Sequence, residues 1–164
     1  MMLIPVALIR FALFAPLGSY REYGREHHRV ISDHAELHNG TYGTALMTGE
    51  SITAKWGTFA FFWNFAVWIP SIWFIPPLNL PFTVIDVVIT GYLSTATHYQ
   101  NGYSPHHKGP CNPDRNPGFH DMLRPDGVNE SFFELAARLN ATVTSPQAMC
   151  ESFVKEWQYG IACS

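Results

Sequence analysis

Charged side chains are scarce in this 164-residue chain. Asp, Glu, Lys and Arg together make up 14% of it, against roughly 25% in an average soluble domain. Between Lys55 and Lys108 the only one is Asp86. The net charge of −3 is small and no Lys/Arg run occurs, so the basic stripe that a nucleic-acid partner requires is missing. Also missing are a Gly-rich phosphate loop, a GxSxG nucleophile motif, a framed pair of carboxylates and an activated Cys–His couple. No heptad, repeat or low-complexity tract is present. Cysteine is limited to Cys111, Cys150 and Cys163, an odd number that gives no parity support for a disulfide framework. These absences remove nucleic acid as a partner and leave no reaction specified.

What the chain has instead is concentrated apolar sequence, with 15% aromatic residues. The charge-poor stretch is long enough for two helical spans of roughly 20 residues each. Residues 1–18, "MMLIPVALIRFALFAPLG", lack the basic start and small-residue cleavage site of a signal peptide. Arg10 near their middle is costly in lipid unless paired or turned toward other helices, so a partial transmembrane or interfacial helix is expected. Residues 19–55 are polar and mixed in sign, and read as a loop with one short helix around Glu22 to Leu37.

Trp56 to Ile75 is apolar all round, as for a helix in lipid or deep in a core, with Trp56, Trp63, Trp68 and Trp73 as aromatic anchors. "PPLNLP" then breaks the helix. Phe82 to Tyr99 follows, with Pro81 near its first position. The expectation for 56–99 is a transmembrane hairpin. Asp86 falls only a turn or so into the second span, near the headgroup boundary. Asp86, Thr90, Ser94 and Thr97 form one polar stripe beside Gly91 and Thr95, suited to packing against other helices. A proton or ion relay is the alternative for Asp86, but neither span holds a second acid.

Residues 100–164 read as a Pro/Gly/Asn-rich polar tail with two short amphipathic helices. One opens on a Ser131–Glu134 capping box and carries Phe132, Leu135, Ala136 and Leu139 on one side. The other starts at Ser145–Pro146 and carries Met149, Phe153 and Trp157.

The charge-free span, the proline turn, the second span with an early Asp, "NGYSPHHKGPC" and "CESFVKEWQYGIA" together resemble the fungal MARVEL-domain and MARVEL-like membrane proteins. The resemblance covers most of the chain from Trp56 onward. It implies an all-α, multi-pass membrane protein of the secretory pathway or plasma membrane, with a non-catalytic, membrane-organising or scaffolding role. Its partners would be lipids, a second copy of the chain or other membrane proteins. Against the four-span pattern the first span is clipped and the chain stops where the last would start, so a chain shortened at both ends is expected.

The resemblance also implies a cysteine-bearing loop outside the cytosol, with Cys111 bonded to Cys150. The alternative is free thiols in a cytosolic tail. Sequons at Asn39, Asn129 and Asn140 agree with a lumenal location and glycosylation. Lys55, Lys108 and Arg115, opposite a hairpin turn without Lys or Arg, argue for the reverse orientation. We side with the cysteines, because few basic residues lie near the span ends.

Eight histidines supply the competing reading, a His-rich, metal-dependent membrane oxidoreductase. His27, His34 and His38 fall on one face if the helix is continuous, and His106–His107 follow His98. Imidazole suits iron or zinc, yet "HxxxH" occurs once and "HxxHH" not at all. No catalytic, cofactor or metal residue is therefore assigned from sequence.

Overall fold

The computed structural model describes residues 3–38, 42–73, 80–143 and 145–164. Helices α1 (Leu3–Ala12) and α2 (Phe14–Asp33) run almost as one rod. Leu13 N–H donates to the Ile9 carbonyl and Leu17 N–H to that of Leu13, so the ladder crosses the junction. Leu17, Tyr20, Gly24, His27, Val30 and Ile31 form the buried stripe of α2, while Glu22, Arg25 and Arg29 face outward. The segment expected to be a polar loop with one short helix is therefore mostly helical. Its stripe is built from Tyr, Gly and His, which hides the period that aliphatic residues would have shown. His34 turns to extended backbone and ends α2, so "HAELH" does not prolong the His27 face.

A single turn, α3 (Ala35–His38), precedes α4 (Thr44–Ile52). A π-helical turn at Thr53–Gly57 joins α4 to α5 (Thr58–Trp68). Ile69 keeps helical dihedrals but leaves the hydrogen-bond ladder before α6 (Pro70–Trp73). Pro70 lacks the N–H that would continue the ladder, so the apolar helical run is interrupted at this point within the described residues, and no single helix of it is long enough to count as a span. The expected proline turn is residues 76–81; 76–79 lie outside the described ones, and Leu80 and Pro81 already belong to the next helix.

Helix α7 (Leu80–Asn101) carries Pro81 in its first turn. Among the described helices it alone is long and apolar enough to cross a membrane. Trp56 stacks on Tyr92 with centroids 3.8 Å apart, and Trp63 reaches Asp86 and Phe82. Partners descend on α7 as residues ascend on α5, so the two helices are antiparallel. The polar stripe packs only at its ends, through half-buried Asp86 and Thr97, and its middle is not the packed face. Ile89, Leu93, Ala96 and Gln100 are buried, whereas Thr90, Gly91, Ser94 and Thr95 are exposed. Thr95 and Thr97 hydroxyls donate to the carbonyls of Gly91 and Leu93 in their own helix, which removes their need for a partner across the interface.

The tail is a packed headpiece. Helix α8 (Phe132–Leu139) opens on the complete Ser131–Glu134 capping box. Helix α9 (Pro146–Cys163), capped by Ser145, is longer than the short helix expected and packs against α2, α7 and α8. Phe119, Phe132, Phe133, Met149 and Phe153 form its core with Ile31, Leu46 and Tyr103. A disulfide joins Cys111 to Cys150, with Cα atoms 5.6 Å apart, and Cys163 is free. A second, smaller cluster of Leu17, Tyr20, Ala60, Ile89 and Leu93 holds the apolar half together. The fold is all-α, with no strand among the described residues.

Candidate functional site

Three acidic or imidazole side chains meet at the junction of the two halves: His27 of α2, Glu50 of α4 and Glu156 of α9. Each is at most 2% exposed, and one ligand atom from each lies within 4.8 Å of the others. His27 Nδ1 is hydrogen-bonded to Glu156 Oε2 and lies 3.9 Å from Glu50 Oε2.

The surroundings fix which atoms face inward. Ser152 Oγ donates to the Met149 carbonyl at 2.6 Å, so its one hydrogen is used. It must then accept from His27 Nε2, 2.8 Å away, which puts a proton on Nε2 and turns Nδ1 to the carboxylates. Phe153 stacks on the imidazole with centroids 3.8 Å apart, holding its plane. Tyr103 donates to Glu50 Oε1 at 2.6 Å. Gln100 Nε2 donates to Glu156 Oε1 at 2.6 Å and to Thr53 Oγ1 at 3.0 Å. Thr53 in turn donates to the Gly49 carbonyl and accepts from Tyr20. The outer oxygen of each carboxylate is thereby engaged, and the inner one faces the imidazole. Glu50 Oε2 has no hydrogen-bond partner among the described residues.

No Lys or Arg reaches either carboxylate among the described residues. Burial pushes the Glu156 carboxyl up to about 8. Burial, then the facing Glu156, raises Glu50 well above the usual carboxylate range, and burial lowers His27. Each shift disfavours charge in a site with little water to solvate it.

Close approach of the helices makes this layer. A Cβ on Gly24 would come within 2.4 Å of Thr53 Cγ2, and one on Gly49 within 2.6 Å of the Tyr103 hydroxyl. Both positions admit glycine alone without rearrangement.

A second polar site lies in the apolar half. Asp86 forms an ion pair with Arg10 of α1 and accepts from Trp63 Nε1 at 2.9 Å. Asn64 Nδ2 donates to the Arg10 carbonyl at 2.9 Å. These groups border a cavity of about 290 Å³, otherwise lined by apolar side chains such as Leu13, Ile89 and Leu93. Asp86 is thus an ion-pair partner more than a packing residue on the Thr90–Ser94 face. From sequence, Arg10 and Asp86 each lacked a counter-charge, and each supplies the other's.

The remaining sequence candidates scatter. His34 Nδ1 donates to the Val30 carbonyl, His106 stacks on Trp157, and His98, His107 and His120 are exposed. The His38 side chain and Asn39 lie outside the described residues. Asn129 is exposed, whereas Asn140 is buried. Asn140 Oδ1 accepts from the N–H groups of Thr142 and Val143, so the folded headpiece presents Asn129 and not Asn140 to a glycan. Sequence reasoning missed Glu50, Gln100 and Glu156. Their signal was a polar residue inside an apolar helical stripe, as in Met149, Phe153, Glu156, Gly160.

The chain matches no family model, no curated protein and no solved structure.

Proposed function

We propose that this chain is an integral membrane protein with a non-catalytic, membrane-organising role. Its apolar end lies in the bilayer and its headpiece stands at one face. The observation that carries the reading is where the exposed large apolar side chains fall. Val6, Leu8, Ile9 and Phe11 of α1, Phe59, Phe62 and Phe65 of α5, and Leu80, Val84, Val87 and Val88 of α7 are all exposed. They belong to the same half of the molecule, an apolar surface far beyond the scattered residues of a soluble monomer. Arg21 lies over the rings of Phe61 and Phe62 at 5.5 and 5.2 Å, the position of a cation at the headgroup boundary.

The organising role itself rests on the MARVEL-like order of spans, turn and loop. The exposed Thr90, Gly91, Ser94 and Thr95 give α7 a face for lipids or a second copy of the chain. The bonded cysteines favour a headpiece outside the cytosol, in the secretory pathway or at the plasma membrane.

The test is extraction of membranes at alkaline pH, combined with a glycosidase shift on wild-type chain and on Asn39→Gln/Asn129→Gln. Retention in the pellet and a shift abolished by the substitutions are expected. Release into the supernatant would defeat the membrane reading, and absence of the shift would reverse the orientation. The metal-dependent oxidoreductase is favoured by one observation, the meeting of His27 with two carboxylates. It requires redox turnover by the purified protein.

A further inference from the structure

We propose that His27, Glu50 and Glu156 bind one divalent first-row transition ion, of the zinc, manganese or iron(II) class, through Nδ1 and the two Oε2 atoms. The inference stands independently of how the apolar half is used.

Geometry carries it. Metal-binding imidazoles and carboxylates are characteristically oriented by partners on their other atoms. All three side chains here have that arrangement. Ser152 holds His27 Nε2, Tyr103 holds Glu50 Oε1, and Gln100 holds Glu156 Oε1. The inward atoms converge: His27 Nδ1, in contact with Glu156 Oε2, and one oxygen of each carboxylate lie within 4.8 Å of one another. The Glu50 Oε2 atom, on a fully buried side chain, is aimed at this point and faces only the Glu156 carboxyl and the imidazole, with no N–H or hydroxyl donor among the described residues. A buried carboxylate oxygen left that way is costly. Two protons or a cation could remedy it, and no Lys or Arg side chain does so among the described residues.

Donor chemistry sets the class of ion. One imidazole with two carboxylates is too nitrogen-rich for magnesium or calcium, which take oxygen ligands. It has no thiolate to favour copper(I), and it suits zinc, manganese or iron(II). Two carboxylates and a neutral imidazole carry a charge that one divalent ion cancels. The ligands come from α2, α4 and α9, which are far apart in sequence, so the ion would join the end of the rod to both the α4–α7 pair and the headpiece.

Full-length protein is purified in detergent, stripped with a chelator, and dialysed against zinc(II), manganese(II) or iron(II) under anaerobic conditions. Elemental analysis is expected to give one ion per chain for at least one of the three. Chelator should lower the melting temperature, and the same ion should restore it. Cobalt(II) gives a readout that needs no variant: visible d–d absorption saturating at one equivalent and displaced by zinc(II). The isosteric substitutions Glu50→Gln and Glu156→Gln should each weaken binding at least about a hundredfold, beyond the loss typical for a supporting residue. His106→Ala and His120→Ala, both at exposed positions, should leave it unchanged. If the Gln variants fail to fold, as read by helicity, the cobalt spectrum and the stoichiometry of the wild type decide. Less than about a tenth of an equivalent of every ion would overturn the proposal. So would stoichiometric binding that survives Glu50→Gln/Glu156→Gln in a folded chain, because the ion would then sit elsewhere. Either result would show that shared protons, not a cation, satisfy Glu50 Oε2.

Discussion

Replacing Asp86 by Asn tests whether the Arg10–Asp86 pair is a working part of the apolar half. From sequence, Asp86 reads as a shallow residue whose loss is tolerated within about 1–2 kcal/mol, the scale of polar contacts between membrane helices. The structure raises that figure. The Arg10 side chain is only 12% exposed, against 36% for Asp86, and its Nε has no partner among the described residues. Asp86→Asn leaves this guanidinium without its counter-charge. Removing one partner of a buried pair costs about 3–5 kcal/mol. The low end applies here, because Asp86 is partly exposed and Asn can still accept from Trp63. We expect about 3 kcal/mol, more than a hundredfold in the folding equilibrium. Arg10→Met should cost about 2–3 kcal/mol, since the stranded carboxylate is partly exposed and keeps the Trp63 hydrogen bond. The double variant should fall within about 2 kcal/mol of wild type, because neither charge is then left alone. The coupling energy would be at least about 3 kcal/mol, at the top of the range for residues in contact. Unfolding in mixed micelles, followed by helicity with the disulfide intact, measures all four corners of the cycle. Effects additive within about 0.5 kcal/mol would refute the pairing, and an Asp86→Asn change below about 1 kcal/mol would restore the reading of Asp86 as a shallow residue at the headgroup boundary.

Three further outcomes follow from the packing. The Cys111–Cys150 bond spans 39 residues, so reduction should destabilise the headpiece by about 4 kcal/mol in the chain-entropy account; an unchanged thermal transition in reductant would refute this. Ser131→Ala removes the cap of α8 and should cost about 1 kcal/mol, with Ser131→Asp nearly neutral, as measured by denaturant unfolding. Gly24→Ala drives a methyl against Thr53, which hydrogen bonds to Gly49, Tyr20 and Gln100 hold in place. Even after the helix-propensity gain it should lose about 2 kcal/mol, and a neutral or stabilising result would show that Thr53 is free to turn.

The parts of the fold legible in the sequence are those set by local rules. The Ser131–Glu134 box, the Ser145–Pro146 start of α9 and Pro81 at the start of α7 are short-range chemistry. Each appears where the residues indicate. The all-α class, which the resemblance implies, agrees with these helix starts. The misreadings concern what a helix packs against. Thr90 and Ser94 make a polar stripe on α7, but a stripe does not state which side of the helix meets its neighbours. Ile89 and Leu93 took that role, and the polar side was left exposed. The helix expected around Glu22 to Leu37 is present but lies earlier and is longer, Phe14–Asp33, because its buried period begins at Leu17, ahead of the charged residues. Arg10 and Asp86 were weighed singly, although 76 residues separate them and only the fold brings them together. Pairings over such distances leave no local trace.

The Glu–His–Glu layer was readable in part, through a pattern that repeats across four helices. Tyr20, Gly24, His27 and Ile31 line α2, and Leu46, Glu50, Thr53 and Gly57 run from α4 into the π-helical turn. Ile89, Leu93, Ala96 and Gln100 line α7, and Met149, Phe153, Glu156 and Gly160 line α9. Every one of these residues is buried. Each stripe steps at three or four residues, and each includes polar side chains where an apolar one would pack. Isolated buried polar groups are destabilising, so their meeting in one layer has a structural consequence. A shift of any one helix by a turn would bury His27, Glu50, Gln100 or Glu156 against hydrocarbon, at a cost the correct register avoids. Leucines at these four positions would pack in several registers with similar energy. The polar layer admits one, a registry role attested for buried polar residues elsewhere. That selection works whether protons or a cation complete the layer. A bound ion would sharpen it, since Nδ1 and both Oε2 atoms converge only when α2, α4 and α9 are all in register.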